Sequence, residues 1–225
     1  MRIPTFGKIV RTPDRISDLV RTARQMKAFN WPREAKEQAR HEDGTDGNIG
    51  AAPEQFWLGP NDIFLNNEAC PVLVYRGAID TGSLSDPALS VEALFERNGW
   101  PVVWRNEVFL FHHYHSTAHA ALAVVSGSAT LVLGGPGGEQ IQIRVGDVIL
   151  FPVGTARCRL GATMDFAVIG GCPRGQQPDI CQAAPTPDAQ AQMAQLPAPQ
   201  SDPVFGSHGP VMALWGAPMH RQVPK

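Results

Sequence analysis

FLFHHYHSTAHAALAVVSGSATLVLGGPGGEQIQIRVGDVILFPVG, residues 109–154, is the stretch whose reading decides the fold. Short runs rich in β-branched and aromatic residues alternate in it with Ser-Gly, Gly-Gly-Pro-Gly-Gly and Gly-Asp punctuation, the signature of strands joined by tight turns. Four of the seven histidines, His112, His113, His115 and His119, crowd its beginning. The reading extends on both sides. Val72–Tyr75 and Val102–Arg105 predict strands before it, and Ala156–Leu160 and Phe166–Gly170 predict strands after it. With Phe109–His115, Ala121–Ser126, Ser128–Leu133, Gln140–Arg144 and Asp147–Pro152, this many short strands at close spacing means an antiparallel sandwich or jelly-roll barrel.

The composition agrees. Twenty prolines and twenty-two glycines among 225 residues leave room for few long helices. A net charge of −2 predicts neither nucleic acid nor an anionic membrane surface as partner. No apolar run reaches bilayer-spanning length, and the N-terminus has no secretory leader pattern. The four cysteines, Cys70, Cys158, Cys172 and Cys181, form no C-x-x-C pair. Free thiols are expected over a Cys172–Cys181 disulfide, and with them a cytoplasmic location.

Three regions follow from the chain in order. Residues 1–55 form a basic extension, carrying ten of the nineteen basic residues in its first fifty against seven acidic ones. Ile16, Leu19, Val20, Ala23 and Met26 fall at helical spacing after Thr12-Pro13-Asp14, so a helix over about 13–29 is expected, followed by a flexible linker. Residues 56–172 carry the barrel with its preceding strand and a helix in SDPALSVEALFERNGW, which buries Val91, Leu94 and Phe95 and stops at Asn98-Gly99. Residues 173–225 are an irregular, proline-rich segment with one short helix near Pro187–Gln195. Its Val204, Phe205, Val211, Leu214 and Trp215 pack on the barrel exterior or a subunit contact.

The histidine stretch resembles the cupins. His113, His115 and Gly127 fall on that family's first motif, and Gly146, Pro152 and Gly154 fall at the spacing of its second. NNEACPVLVY, the NGW that ends the helix, WRN, HHYHSTAH and DPVFGSHGPVMALW make residues 60–216 resemble in particular the YjlB-type single-barrel cupins. The resemblance implies a mainly β protein, a single jelly-roll barrel with a few short flanking helices. It also implies pairing as a homodimer.

It further implies a mononuclear metal centre of iron, manganese, nickel or zinc, held by imidazoles and a carboxylate that face the lumen together. His113 and His115, two apart on one strand, would share a face. The chain departs from the motif at the other positions. Ala120 stands where the family has its glutamate, Arg157 where it has the third histidine, Glu107 at the opening glycine and Gly161 at the asparagine. Arginine cannot ligate a metal. His119 stands beside the glutamate position and is the candidate third ligand, although strand alternation turns it outward, as it does His112.

Arg157 reads either as a lumen cation that needs Glu107 or an anionic ligand beside it, or as a rim residue reaching solvent. The resulting expectation is a barrel that binds a small molecule, an anion among the candidates, through Arg157, Tyr114, His113 and His115, its metal site degenerate. The alternative is a metal-dependent oxygenase or isomerase using His113 and His115, with or without His119. Catalysis itself stays open at this point.

Overall fold

The structure, a computed structural model, describes residues 52–216. The helix expected over 13–29 and most of the linker after it lie outside the described residues. Nine strands form two antiparallel sheets: β1 (Glu54–Phe56), β2 (Val72–Tyr75), β3 (Val102–Asn106), β4 (Ala120–Ser126), β5 (Ser128–Leu133), β6 (Glu139–Arg144), β7 (Val148–Phe151), β8 (Arg157–Ala162) and β9 (Ala167–Gly171). The larger sheet runs β1-β2-β7-β4-β9-β3 and the smaller β6-β5-β8. They face each other as the two halves of a jelly roll.

Strand alternation explains what fills the space between them. Val72 and Val74, Ala120, Leu122 and Val124, and Ile149 and Phe151 point inward from the larger sheet. Ala129, Leu131 and Leu133, with Ile141 and Ile143, meet them from the smaller one. The intervening residues of the larger sheet are buried too. Leu73, Tyr75, Ala121, Ala123, Val148 and Leu150 make a second apolar layer on its outer face. That is why all seven residues of β4 are buried and why its sequence shows no polar alternation.

Two elements cover the outer layer. Helix α1 (Pro87–Arg97) begins at Asp86, whose side chain accepts from the Leu89 amide, and buries Val91 and Phe95. Its chain leaves through Gly99 at φ +79°, where a side chain would be strained. The C-terminal segment supplies the rest. Helix α2 (Pro187–Gln195) lies where the sequence predicts it, and a five-residue helix α3 (Pro210–Leu214), not predicted, seats Val211 and Trp215 against the sheet. Burying two such apolar side chains is worth about 1.5–3 kcal/mol each. Among the described residues no helix is long and apolar enough to cross a membrane.

Two sequence expectations need correction. Glu54–Phe56 is an edge strand paired with β2, so the sheet begins inside the segment assigned to the linker. Phe109–His115 is not a continuous strand. His113 bridges Arg157 and Tyr114 bridges Cys181, each singly, because the run crosses from one partner segment to another. Its ladder is split between β8 and the residues after β9.

Several of the motif residues prove architectural. Gly146 takes φ +90°, and a Cβ there would lie 2.8 Å from the Ile79 carbonyl oxygen. Asp147 is fully buried and accepts from the Gly77 amide at 2.9 Å, the Arg76 guanidinium at 3.0 Å and the Arg144 amide at 3.1 Å. The paired asparagines clamp loops. Asn66 donates to the carbonyls of Gly59 and Gly134 and accepts from the Ala156 amide, while Asn67 donates to Val153 and accepts from the Ala69 and Cys70 amides.

Candidate ligand-binding site in the barrel

Arg157 opens β8 opposite Leu133, an inward-facing residue, so its side chain enters the barrel. It is 2% exposed, and the rim reading is wrong. Its Nη2 donates to His115 Nε2 at 2.5 Å, its Nη1 makes a long 3.5 Å contact with the Thr155 carbonyl, and its guanidinium lies 4.5 Å from the Phe151 ring centroid. No carboxylate pairs with it among the described residues. Glu107, the expected partner, is drawn to Arg159 at 2.6 Å. Arg159 lies two residues along β8 and less deeply buried, so it meets Glu107 without taking a carboxylate out of water.

His113 and His115 sit beside the guanidinium, their ring centroids 6.0 Å apart. Both are buried. His115 Nδ1 donates to the Asp179 carbonyl, which can only accept, so Nε2 is the bare nitrogen that takes the Arg157 N–H. His113 Nδ1 donates in the same way to the Phe111 carbonyl at 3.1 Å. Aromatic rings wall the pair. Trp104 stands edge-on to His115 at 5.9 Å, and Phe109 and Phe111 flank His113 at 5.0 and 5.7 Å. Gly170 lets Trp104 lie there, since a Cβ at that position would be 1.9 Å from the indole.

The other candidates go elsewhere. Tyr114, expected as a ligand contact, faces away from Arg157 because successive residues alternate. It packs with Phe64 and Ala156 and donates its hydroxyl to the Ala183 carbonyl at 3.0 Å. His119 turns to the outer face, as alternation predicts. It is nonetheless buried, its ring 5.2 Å from Trp215 and its Nδ1 accepting from the Val153 amide at 3.1 Å. His112 also faces outward but is half-buried against Phe64, with Nε2 3.5 Å from the Cys158 thiol.

His113, His115 and His119 therefore do not converge. Among the described residues no group of three or more His, Cys, Asp or Glu is placed to hold a metal ion. The donor chemistry gives the reason. Ala120 is part of the apolar core, His119 lies across the sheet, and Arg157 occupies His115 Nε2 and brings a fixed positive charge. The residues present do not fit the family's metal centre.

Electrostatics follow from burial. Desolvation, reinforced by the Arg157 charge, pushes His113 down to about 3 and His115 well below the usual imidazole range. Desolvation pushes His119 down to about 4 and the Arg157 guanidinium to about 10. Burial also raises the Cys172 thiol to about 12, against the opposing pull of Arg157. All four cysteines are free. The site at neutral pH is one cation among neutral rings.

These imidazoles predict an acid response. An unfolded chain protonates its histidines near pH 6.5. The folded protein holds His113, His115 and His119 neutral to much lower pH. The unfolded state thus binds more protons below pH 6.5, and stability is lost as pH falls through that range toward 4. Melting temperatures measured from pH 8 to 4 should begin to drop between 6.5 and 6, above the range in which carboxylates titrate. A curve flat to pH 4.5 would contradict the buried neutral histidines.

Sequence reasoning missed Phe151, Trp104 and Asp179. Phe151 was within reach, since it precedes Pro152 at an inward register. Asp179 carried no signal: it lies more than sixty residues from the loop it organises, where its carboxylate accepts from the Ser116 amide and hydroxyl and its carbonyl orients His115.

No family model matches the chain. It is 33% identical over 165 residues to the uncharacterised protein YjlB of Bacillus subtilis strain 168, covering 72% of this chain and 96% of that one. Among solved structures it is similar to a DUF861 family protein from Thermotoga maritima, at 26% identity and TM-score 0.26 over 37% of this chain and 83% of that one. A conserved protein with a double-stranded β-helix domain from Klebsiella pneumoniae gives 14% identity and TM-score 0.29 over 57% and 92% of the two chains. The sequence relationship, and not these loose superpositions, carries the family assignment.

Proposed function

The chain belongs to the YjlB family and has the cupin barrel, and from that premise we propose that it binds a small anionic molecule at Arg157, without the usual cupin metal. One observation carries this reading: a guanidinium 2% exposed, inside an apolar barrel, with no carboxylate among the described residues to neutralise it. A buried charge without a counter-charge costs several kcal/mol. An anion received in the barrel offsets that cost, and a guanidinium carries more N–H donors than His115 and Thr155 satisfy. The protein works in the cytoplasm, a placement supported by its four free thiols, and pairs as a homodimer, as the cupin resemblance implies.

Calorimetric titration of the full chain with small carboxylates, phosphate and their uncharged amide or alcohol counterparts tests the reading. Anions are expected to bind and the uncharged counterparts to bind at least tenfold more weakly. Equal affinities would refute it. Elemental analysis of the same untagged protein should find well below one metal per subunit, rising in the Ala120→Glu/Arg157→His double variant. A full equivalent of iron, manganese, nickel or zinc on the wild type, lost in His113→Ala, would favour the metal enzyme instead. Sedimentation velocity on that preparation reads the dimer.

A further inference from the structure

We propose that the anion is a monocarboxylate bearing a hydroxyl next to the carboxylate, a 2-hydroxy acid or its close equivalent. This rests on the anion-binding reading of Arg157 and narrows it. The charge count comes first. Arg157 carries the charge beside the imidazoles, Arg159 two residues along being paired with Glu107, and His115 is neutral on geometric grounds alone. Its Nδ1 faces a carbonyl oxygen and its Nε2 faces an N–H donor, so there is room for only one proton on the ring. A single negative charge balances a single buried positive one. A dianion would leave an uncompensated charge in the barrel.

The acceptor count comes second. Proteins that bind simple carboxylates surround them with donors. Here both imidazoles spend their N–H groups on backbone carbonyls, His113 on Phe111 and His115 on Asp179. His113 is thereby left with Nε2 as an acceptor, while His115 Nε2 already accepts from Arg157. A carboxylate oxygen set against those nitrogens would be repelled. A ligand that presents its carboxylate to the guanidinium and an O–H to an imidazole satisfies both kinds of group at once. The His115–Arg157 hydrogen bond already shows the acceptor behaviour, with Arg157 as the donor in the ligand's stead. The surrounding Trp104, Phe109, Phe111 and Phe151 rings suit an apolar body on the ligand rather than a polyol.

Matched pairs test this directly. Lactate against propionate and mandelate against phenylacetate, titrated calorimetrically into the full-length protein, differ only in the hydroxyl. The hydroxy acid is expected to bind about tenfold tighter or more in each pair, because a site with buried acceptors rejects the analogue that cannot donate. In His113→Phe or, where folding demands a closer mimic, His113→Gln, the preference within each pair should shrink severalfold while carboxylate affinity persists. Circular dichroism confirms that each variant folds. Equal affinity within both pairs in the wild type overturns the hydroxy-acid inference and leaves the anion reading standing. Failure of all four acids to bind, or tighter binding of the neutral lactamide, overturns both.

Discussion

Arg157→Met is expected to lower anion affinity by a factor on the order of 30 to 5,000 while leaving the melting temperature within a few degrees of wild type. The affinity loss is that of truncating one partner of a desolvated charge pair, about 2–5 kcal/mol. The small stability change comes from cancellation. Burial holds the guanidinium at a pKa of about 10, which at ~1.4 kcal/mol per pH unit corresponds to roughly 3 kcal/mol of charge desolvation that methionine would relieve. Against that stand the loss of a contact with the Phe151 ring, about 1 kcal/mol, and a His115 Nε2 left without its donor, about 1–3 kcal/mol. The opposing figures are nearly equal. A structural arginine would behave differently, and a melting temperature more than 10 °C lower with anion affinity intact would sink the proposal that Arg157 is there for a ligand.

The largest loss of stability is expected at Asp202, far from that site. Asp202 is fully buried where the C-terminal segment meets the outer face of the larger sheet. Its Oδ2 accepts from the Tyr75 hydroxyl at 2.5 Å and the Val211 amide at 3.3 Å, and its Oδ1 from the Val204 and Phe205 amides at 2.9 and 3.0 Å. One carboxylate thus organises the turn before α3 and ties it to β2. Gly209 makes room for it, since a Cβ there would fall 2.1 Å from Asp202 Cβ. Asp202→Ala strands a buried hydroxyl and several amides together, at a cost of about 3–5 kcal/mol. For a protein of this size that lowers the melting temperature by roughly 10 °C. Asp202→Asn keeps an oxygen for the two turn amides and should cost less than half as much. The C-terminal segment of the alanine variant should also be cut faster in limited proteolysis, because α3 holds Val211 and Trp215 over the apolar sheet face. A melting point within 2 °C of wild type for Asp202→Ala would show that the network is dispensable.

The two residues differ in how far the sequence announced them. Arg157 stood out because it falls where a histidine is expected at a fixed distance from Gly146, Pro152 and Gly154. Its importance was legible, but its depth and its lack of an acidic partner were not. Whether Glu107 reached Arg157 or Arg159 depended on which of two inward-facing arginines lay nearer the open edge, and spacing along a strand does not encode depth. Asp202 was visible only as part of the DPVFGSHGPVMALW run, with no hint that Tyr75, 127 residues earlier, would donate to it.

The histidines show the same division. Alternation correctly turned His112 away from its neighbour His113 and His119 away from its neighbour Ala120, because facing between adjacent residues is a local property of the backbone. Facing outward did not leave this pair exposed. His119 lies against Trp215 and His112 against Phe64, both brought there by distant segments. Phe109–His115 was overcalled as a strand for a related reason. Its composition favours extension, but a strand also needs a continuous partner, and this run changes partners between His113 and Tyr114.

By itself, the sequence determined the short antiparallel strands, the turn positions, α1 and α2, since each rests on periodicity and turn chemistry within a few residues, while the single jelly roll and the lumen pair came from motif spacing shared with the cupins. It also determined that the metal motif is incomplete, since Ala120 and Arg157 are simply the wrong chemistry for ligands. Only the tertiary structure decided that Arg157 is buried without a carboxylate among the described residues, that Tyr114 leaves the site, and that both lumen imidazoles turn Nδ1 to a backbone carbonyl. Those depend on where Asp179, Phe111 and Phe151 come to rest. Hydrogen bonds between segments sixty residues apart are set by packing, which no local pattern records.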